Sequence, residues 1–165
     1  MTRFNDNTRG PRFRQFRASA AMTTNASDTA INYNFPTPAV LQFSAIRTAA
    51  NTDDITIDLA NNRFVINTTA RYLVDFLFPH FSTGFRASIE GSVHVNGVIT
   101  SSRSFSYIRA AAEGHNRDDI GSTVIVDLNA GDLVDIRVRR SEGSTINDPI
   151  TALENATFEI LRVDE

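Results

Sequence analysis

Phe64-Val65-Ile66-Asn67-Thr68-Thr69-Ala70-Arg71-Tyr72-Leu73-Val74-Asp75-Phe76 is the stretch whose reading decides the fold. After Thr69 the residues alternate with the period of two that marks a β-strand: Tyr72, Val74, Phe76 and Phe78 fall on one face, and Arg71, Leu73, Asp75 and Leu77 on the other. The first face is aromatic enough to supply a sheet core. The second mixes two leucines with charges, as on a strand that a neighbour covers over part of its length. The reading is of sheets packed on sheets, and of copies packed on copies.

Working outward, residues 40–46 read as a first strand, and Ile55, Ile57 and Leu59 alternate with Thr56 and Asp58 in a second. Asn61-Asn62 supplies the turn between this strand and the one beginning at Arg63, because asparagine tolerates left-handed backbone. Residues 87–95 have strand character and run into Asn96-Gly97, the strongest two-residue hairpin signal; residues 98–100 return and residues 104–109 extend the sheet. Residues 110–121 read as a loop. Residues 122–128 and 133–139 are strands around Asn129-Ala130-Gly131-Asp132, where Gly131 takes positive φ and Asp132 caps the bend. Residues 141–147 are a polar loop, and residues 156–163 a last strand. About eight to ten short strands with tight turns and no long helix make an antiparallel, two-sheet sandwich or jelly roll.

With 165 residues, 41% of them hydrophobic and 12 of them phenylalanine, the chain holds one domain with a sizeable core. No run approaches the roughly 20 apolar residues of a membrane helix, and the charged N-terminus is not followed by the apolar segment of a secretory signal. Cysteine is absent, which excludes disulfides, thiolate metal sites and a cysteine nucleophile. Lysine is absent too: all 16 basic side chains are arginine, whose planar, weakly hydrated guanidinium suits ordered protein interfaces.

The arginines are unevenly placed. Arg3, Arg9, Arg12, Arg14 and Arg17 face a single acid, Asp6, in the first 17 residues, interleaved with Phe4, Phe13 and Phe16 and interrupted by Gly10-Pro11. By composition this segment reads either as a disordered tail or as a basic arm in which each phenylalanine fills a pocket on another protein and each arginine pairs with its carboxylates. Binding to nucleic acid is disfavoured by the net charge of −3 and the lack of a second basic patch. Residues 18–29, rich in Ala, Ser, Thr and Asn, have the composition of a linker. Pro36 and Pro38 then favour extended backbone. The expected division is an extended basic docking arm with linker over residues 1–30 and a jelly-roll sandwich over residues 31–165.

Catalytic chemistry is not legible. His80, His94 and His115 are the only histidines, and Glu90 and His94 share a face only if the strand passes Gly91 unbroken. No nucleophile elbow, phosphate loop or dinucleotide fingerprint occurs. Asp53-Asp54 and Asp118-Asp119 are carboxylate pairs in expected turns, without the spaced ligands of a calcium loop. The expectation is a protein that is not an enzyme and uses no cofactor and no metal.

The spacing of the opening stretch resembles the signature of complement C1q and tumour-necrosis-factor-like domains, a Phe followed after five residues by G-x-Y-x-F-x-[FY]. Here Phe64 is followed by Ala70, Tyr72, Val74 and Phe76, with Ala70 in place of the usual Gly and Val74 in place of the usual Phe. Val95-Asn96-Gly97 is similar to the mid-domain hairpin of that family, residues 122–138 to its strand, Gly-Asp turn and strand, and residues 156–161, with Phe158, to its closing strand. The likeness runs from residue 39 onward. It implies a jelly roll that forms a three-fold trimer through one of its sheets, with Tyr72, Phe76 and Phe158 in the core or the trimer interface; the sequence leaves open which.

Together these readings point to a non-enzymatic virion structural protein of a tailed bacteriophage: a homotrimeric capsid decoration, or cement, protein on the capsid surface. Its N-terminal arm would lie on the major capsid protein or another virion protein, with no membrane partner. The alternative is the receptor- or glycan-binding knob of a phage fibre, with recognition by residues 82–85, 110–121 and 141–149.

Overall fold

The computed structural model describes residues 16–24, 30–31, 37–49, 53–82, 87–109, 114, 117–143, 150–152 and 155–163. These form two antiparallel sheets. The first is organised around β7 (Ala70–Ser82), the long strand that carries the Tyr72 alternation. Along one edge of it lies β10 (Arg117–Leu128), paired from Phe81 to Ala70. The other edge is shared by β12 (Ile150–Ala152) and β13 (Thr157–Val163). Beyond β13 come β1 (Phe16–Thr23) and β4 (Ala45–Thr48), and β2 (Ala30–Ile31) lies beside β12. The second sheet runs β5 (Ile55–Asp58), β6 (Arg63–Ile66), β11 (Leu133–Gly143), β8 (Ala87–Val95), β9 (Val98–Ile108), with β3 (Ala39–Val40) also on β11. Among the described residues the one helical piece is a 3-10 turn, Leu59–Asn61, capped by the Asp58 carboxylate.

The core lies between the sheets. Tyr72, Val74, Phe76 and Phe78 of β7 are buried as the alternation requires, and Phe64, Phe158, Met22, Leu41, Ile55 and Ile120 close around them. The Phe158 ring sits 4.4 Å from that of Phe64 and 5.8 Å from that of Phe43, the tilted spacing aromatic rings favour. The two tight connections follow their sequence signals. Asn96 (φ 51°) and Gly97 (φ 78°) form a hairpin with positive φ at both central residues, and Gly131 has φ 94° while the Asp132 carboxylate accepts the Asn129 N–H at 2.8 Å.

Five local expectations change, one being residues 141–143, which continue β11 opposite Ser88 and Ala87 of β8 instead of opening the polar loop. Residues 18–23, linker by composition, belong to β1, which lies between β13 and β4 with Ala20, Ala21 and Met22 buried; sheet pairing thus begins at Phe16. Small side chains let this strand sit close to two neighbours, and polar loops share that composition. Residues 40–46 are not one strand: β3 lies in one sheet and β4 in the other, because the Phe43 N–H is taken by the Asn62 side chain at 2.6 Å, Leu41 N–H by Ile136 O and Ser44 N–H by Thr23 O. Leu59 leaves the second strand for the 3-10 turn. Residues 117–121 are strand rather than loop, since β10 follows β7 to Phe81 and its two aspartates stand exposed.

Candidate functional site

On β8, Gly91 faces the core against Phe76 and Ile120, so Ile89 and Val93 also point inward and Glu90, Ser92 and His94 outward. β8 is continuous through Gly91, and Glu90 and His94 do share a face. Their partners differ. Glu90 pairs across the sheet with Phe105 of β9 on one side and Arg139 of β11 on the other. Its carboxylate accepts from Arg139 Nε at 2.7 Å and Nη2 at 2.5 Å, and Arg103 Nη1 stands 3.4 Å away. Although it lies on the outer face of a sheet, the Glu90 side chain is only 2% exposed, whereas Arg103 keeps 45% of its side chain in solvent. Beside this clamp Phe105 is 60% and Tyr107 53% exposed. With Ser88 these residues line an open depression of about 570 Å³. Among the described residues two guanidiniums meet one carboxylate here, and the two bonds from Arg139 hold the geometry fixed.

The same face continues with Arg137, which donates to Asp135 at 2.7 and 3.2 Å; this hydrogen bond raises the guanidinium pKa further above its usual value. His94 is held by the Gly97 carbonyl at Nδ1 (3.2 Å) and by Ser92 Oγ at Nε2 (3.1 Å), and burial lowers its pKa. Among the described residues no group of three or more His, Cys, Asp or Glu comes together.

The outer face of the β7 sheet is different. One cross-strand row reads Ile125–Leu73–Leu161–Ser19, with Leu77 two residues along β7 from Asp75 and beside Gly121. Ile125 is 54% and Leu77 38% exposed, while Leu73 and Leu161 are half-buried. Polar rows flank this apolar one: Arg71 donates to Asp127 at 2.9 Å, Thr123 donates to Asp75, and Arg47 pairs with Glu159 at 3.1 Å.

The two ends of the sandwich are also distinct. Phe16, the first residue of β1, pairs with Val163, which pairs with Arg71, which pairs with Asp127. The turns at 67–69, 96–97 and 129–132 meet at this end, tied by Ala130 N–H to Thr69 Oγ1 and by Asn96 Nδ2 to Asp132. At the opposite end, Ser82, Ala87, Ile108, Arg117, Gly143 and Ile150 bracket the other connections. From Arg71 to Ser82 at about 3.3 Å per residue, the ends are roughly 36 Å apart.

Tyr72, Phe76 and Phe158 are 0–1% exposed inside the single chain, so they point away from any face a second copy can touch. Arg3, Phe4, Arg9, Arg12, Phe13 and Arg14 lie outside the described residues; Phe16 and Arg17 belong to β1, and their side chains lie outside the described set. Of the expected recognition segments, Ser82 ends β7, residues 117–121 are in β10 and residues 141–143 in β11; residues 83–85, 110–113, 115–116 and 144–149 lie outside the described residues. Asp54 is buried against Arg162 of β13, and Asp118 and Asp119 are exposed at the start of β10. The sequence reading weighed Glu90 only as a partner for His94 and did not single out Arg103, Phe105, Tyr107 or Arg139. The alternation Arg103-Ser-Phe105-Ser-Tyr107 was the available signal: every large side chain falls on one face.

Comparison with solved structures shows the fold. The globular domain of a zebrafish complement 1qA protein superposes with a TM-score of 0.60 at 12% identity, covering 88% of this chain and 96% of that one. The Eiger tumour necrosis factor of S. frugiperda superposes with a TM-score of 0.61 at 12% identity, covering 90% of this chain and 95% of that one. No family model matches the sequence, and no curated protein matches it significantly.

Proposed function

We propose that this jelly roll of the complement C1q and tumour-necrosis-factor type is a non-enzymatic, homotrimeric decoration protein of a phage capsid. Its outer β7-sheet face meets sister copies, and its N-terminal arm grips the major capsid protein or another virion protein. The observation that carries the reading is the apolar row Ile125–Leu73–Leu161 with Leu77, in which Ile125 and Leu77 are exposed and the other two half-buried, on a sheet whose other face already fills the core. Such a row is stabilised when another copy covers it. The basic arm enters the fold at Phe16, at the end of the sandwich where β13 finishes. A trimer would therefore present three arms from one end, and their joint engagement gives a high effective concentration from weak single contacts.

Two variants test the two halves. Ile125→Glu places a charge in the apolar row and is expected to convert trimers to monomers in sedimentation velocity without loss of fold; a wild-type monomer, or a variant that stays trimeric, refutes the interface. Deletion of residues 1–15 leaves β1 whole and is expected to abolish co-sedimentation with shells of the parent particle; unchanged binding refutes the docking arm.

A receptor- or glycan-binding fibre knob is the second reading, and one observation favours it. The strand ends that bracket residues 83–86, 109–116 and 144–149 gather at the end away from Phe16, as recognition loops on an anchored knob would. Adsorption of the isolated chain to host cells, unaffected by deletion of the arm, would support this reading over the first.

A further inference from the structure

We propose that the depression formed by Arg103, Phe105, Tyr107, Ser88 and Arg139 on the outer face of β8 and β9 binds a carboxylate-bearing sugar unit of an acidic glycan. The site is on the outer face of β8 and β9, beginning one residue in from the strand ends Ala87 and Ile108, and it requires neither the virion reading nor the arm.

Three features point to this ligand class. The first is a guanidinium prepared for an anion. Glu90, 2% exposed, holds Arg139 by two bonds of 2.7 and 2.5 Å, while among the described residues Arg103, 45% exposed, makes one ion pair, its 3.4 Å approach to Glu90. A planar fork with donors to spare matches a carboxylate, and the buried Glu90 limits the entropy lost on binding. The second is the pair of exposed rings. Phe105 and Tyr107 are two residues apart on one strand face, roughly 7 Å along it, and line the depression with Arg103, so the C–H face of a pyranose can lie against exposed aromatic surface. The third is polarity of the right kind: Ser88 and Tyr107 bring hydroxyls to the depression, and its volume of about 570 Å³ is within the roughly 300–1,000 Å³ of small-ligand sites.

Alternatives fit less well. A neutral sugar leaves the Arg103 guanidinium unmatched, and a free phosphate makes no use of the rings. A nucleic-acid strand needs a longer basic track than two arginines sharing one carboxylate in a chain of net charge −3.

The test uses the full chain with 3′-sialyllactose and a hyaluronan tetrasaccharide as probes, lactose as the uncharged control, and titration calorimetry with saturation-transfer NMR as readouts. At least one acidic probe is expected to bind, with lactose weaker by about tenfold or more. Arg103→Gln and Phe105→Ala are each expected to lower that affinity about tenfold, with melting temperature and oligomeric state unchanged. The proposal is overturned if neither acidic probe binds at roughly millimolar concentration, if lactose binds equally well, or if inorganic phosphate displaces the sugar at equal concentration. It is also overturned if a hexaglutamate peptide binds more tightly than either sugar. Dissociation of the assembly by Phe105→Ala would assign the patch to contact between copies and end the proposal.

Discussion

Gly91 sets the facing of the whole outer surface of β8, and adding one methyl there tests the arrangement. A Cβ at this position would stand 2.7 Å from Ile120 Cδ1 and 3.0 and 3.1 Å from Cε2 and Cζ of Phe76. Carbon atoms in a core ordinarily sit about 3.5–4.0 Å apart. Ile120 and Phe76 are each 1% exposed and belong to the opposite sheet, so neither can swing into solvent. Overpacking of this kind costs roughly 1–3 kcal/mol, and replacing a strand glycine by alanine returns about 0.5–1 kcal/mol of chain entropy. Gly91→Ala is therefore expected to destabilise by a net of about 0–2.5 kcal/mol. The structure also names the rescue. Ile120→Val removes Cδ1 and alone costs about 0.5–1.5 kcal/mol, but combined with Gly91→Ala it relieves the shortest contact. The double variant should thus be more stable than the sum of the singles predicts, by about 1 kcal/mol. Urea unfolding of the four proteins, with slopes compared to establish a common two-state transition, measures this coupling. Single effects that add to within about 0.3 kcal/mol would show that β8 does not approach β10 and β7 as described.

Three further outcomes follow from single environments. His80 is fully buried, stacked on Phe78 at 5.1 Å, with Nδ1 on the Phe78 carbonyl and Nε2 on Ser106 Oγ; burial lowers its pKa below the ordinary 6.5, as it does for His94, while the nearby Asp118 and Asp119 oppose the shift. The unfolded chain therefore takes up the proton first: stability is present above pH 6.5 and is lost as pH falls through the depressed folded values, so the melting temperature should decline from pH 7 to 5 and His80→Gln should flatten that decline. A melting temperature that is level or rises over this range refutes the burial of a neutral imidazole. Asn62, at φ 55° and 6% exposed, takes the Phe43 N–H, so Asn62→Gly should cost about 1–3 kcal/mol in chemical denaturation and Asn62→Ala about 1 kcal/mol more, because alanine also resists left-handed backbone. Glu90→Gln leaves Arg103 and Arg139 without the carboxylate between them and should cost about 1–3 kcal/mol, whereas Glu159→Gln, whose partner Arg47 is 58% exposed, should cost less than about 1 kcal/mol; equal effects in urea melts would contradict the burial of Glu90.

The parts of the fold legible in sequence are those whose signal is local. β7 was readable because its aromatic residues meet the core at every second position, and Asn96-Gly97 and Asn129–Asp132 because their backbone angles suit only a few residue types. β1 was not, because Ala, Ser and Thr at residues 18–21 and 23 suit a crowded middle strand as well as a linker. The break between β3 and β4 was not, because it depends on Asn62, nineteen residues from Phe43 in the chain.

The candidate sites divide along the same line. Period-two alternation settles which side chains of a strand share a face, and Arg103, Phe105 and Tyr107 share one just as Tyr72 and Phe76 do. Which of those faces is interior is settled by what lies across from it. Tyr72, Phe76 and Phe158 meet the second sheet and are sealed within one chain, whereas Arg103, Phe105 and Tyr107 meet solvent beside a carboxylate brought from β8 and an arginine from β11. The local repeat is a property of successive dihedral angles and is written in neighbouring residues. The choice between core and surface depends on contacts between segments far apart in the chain, and only the packed sheets make it.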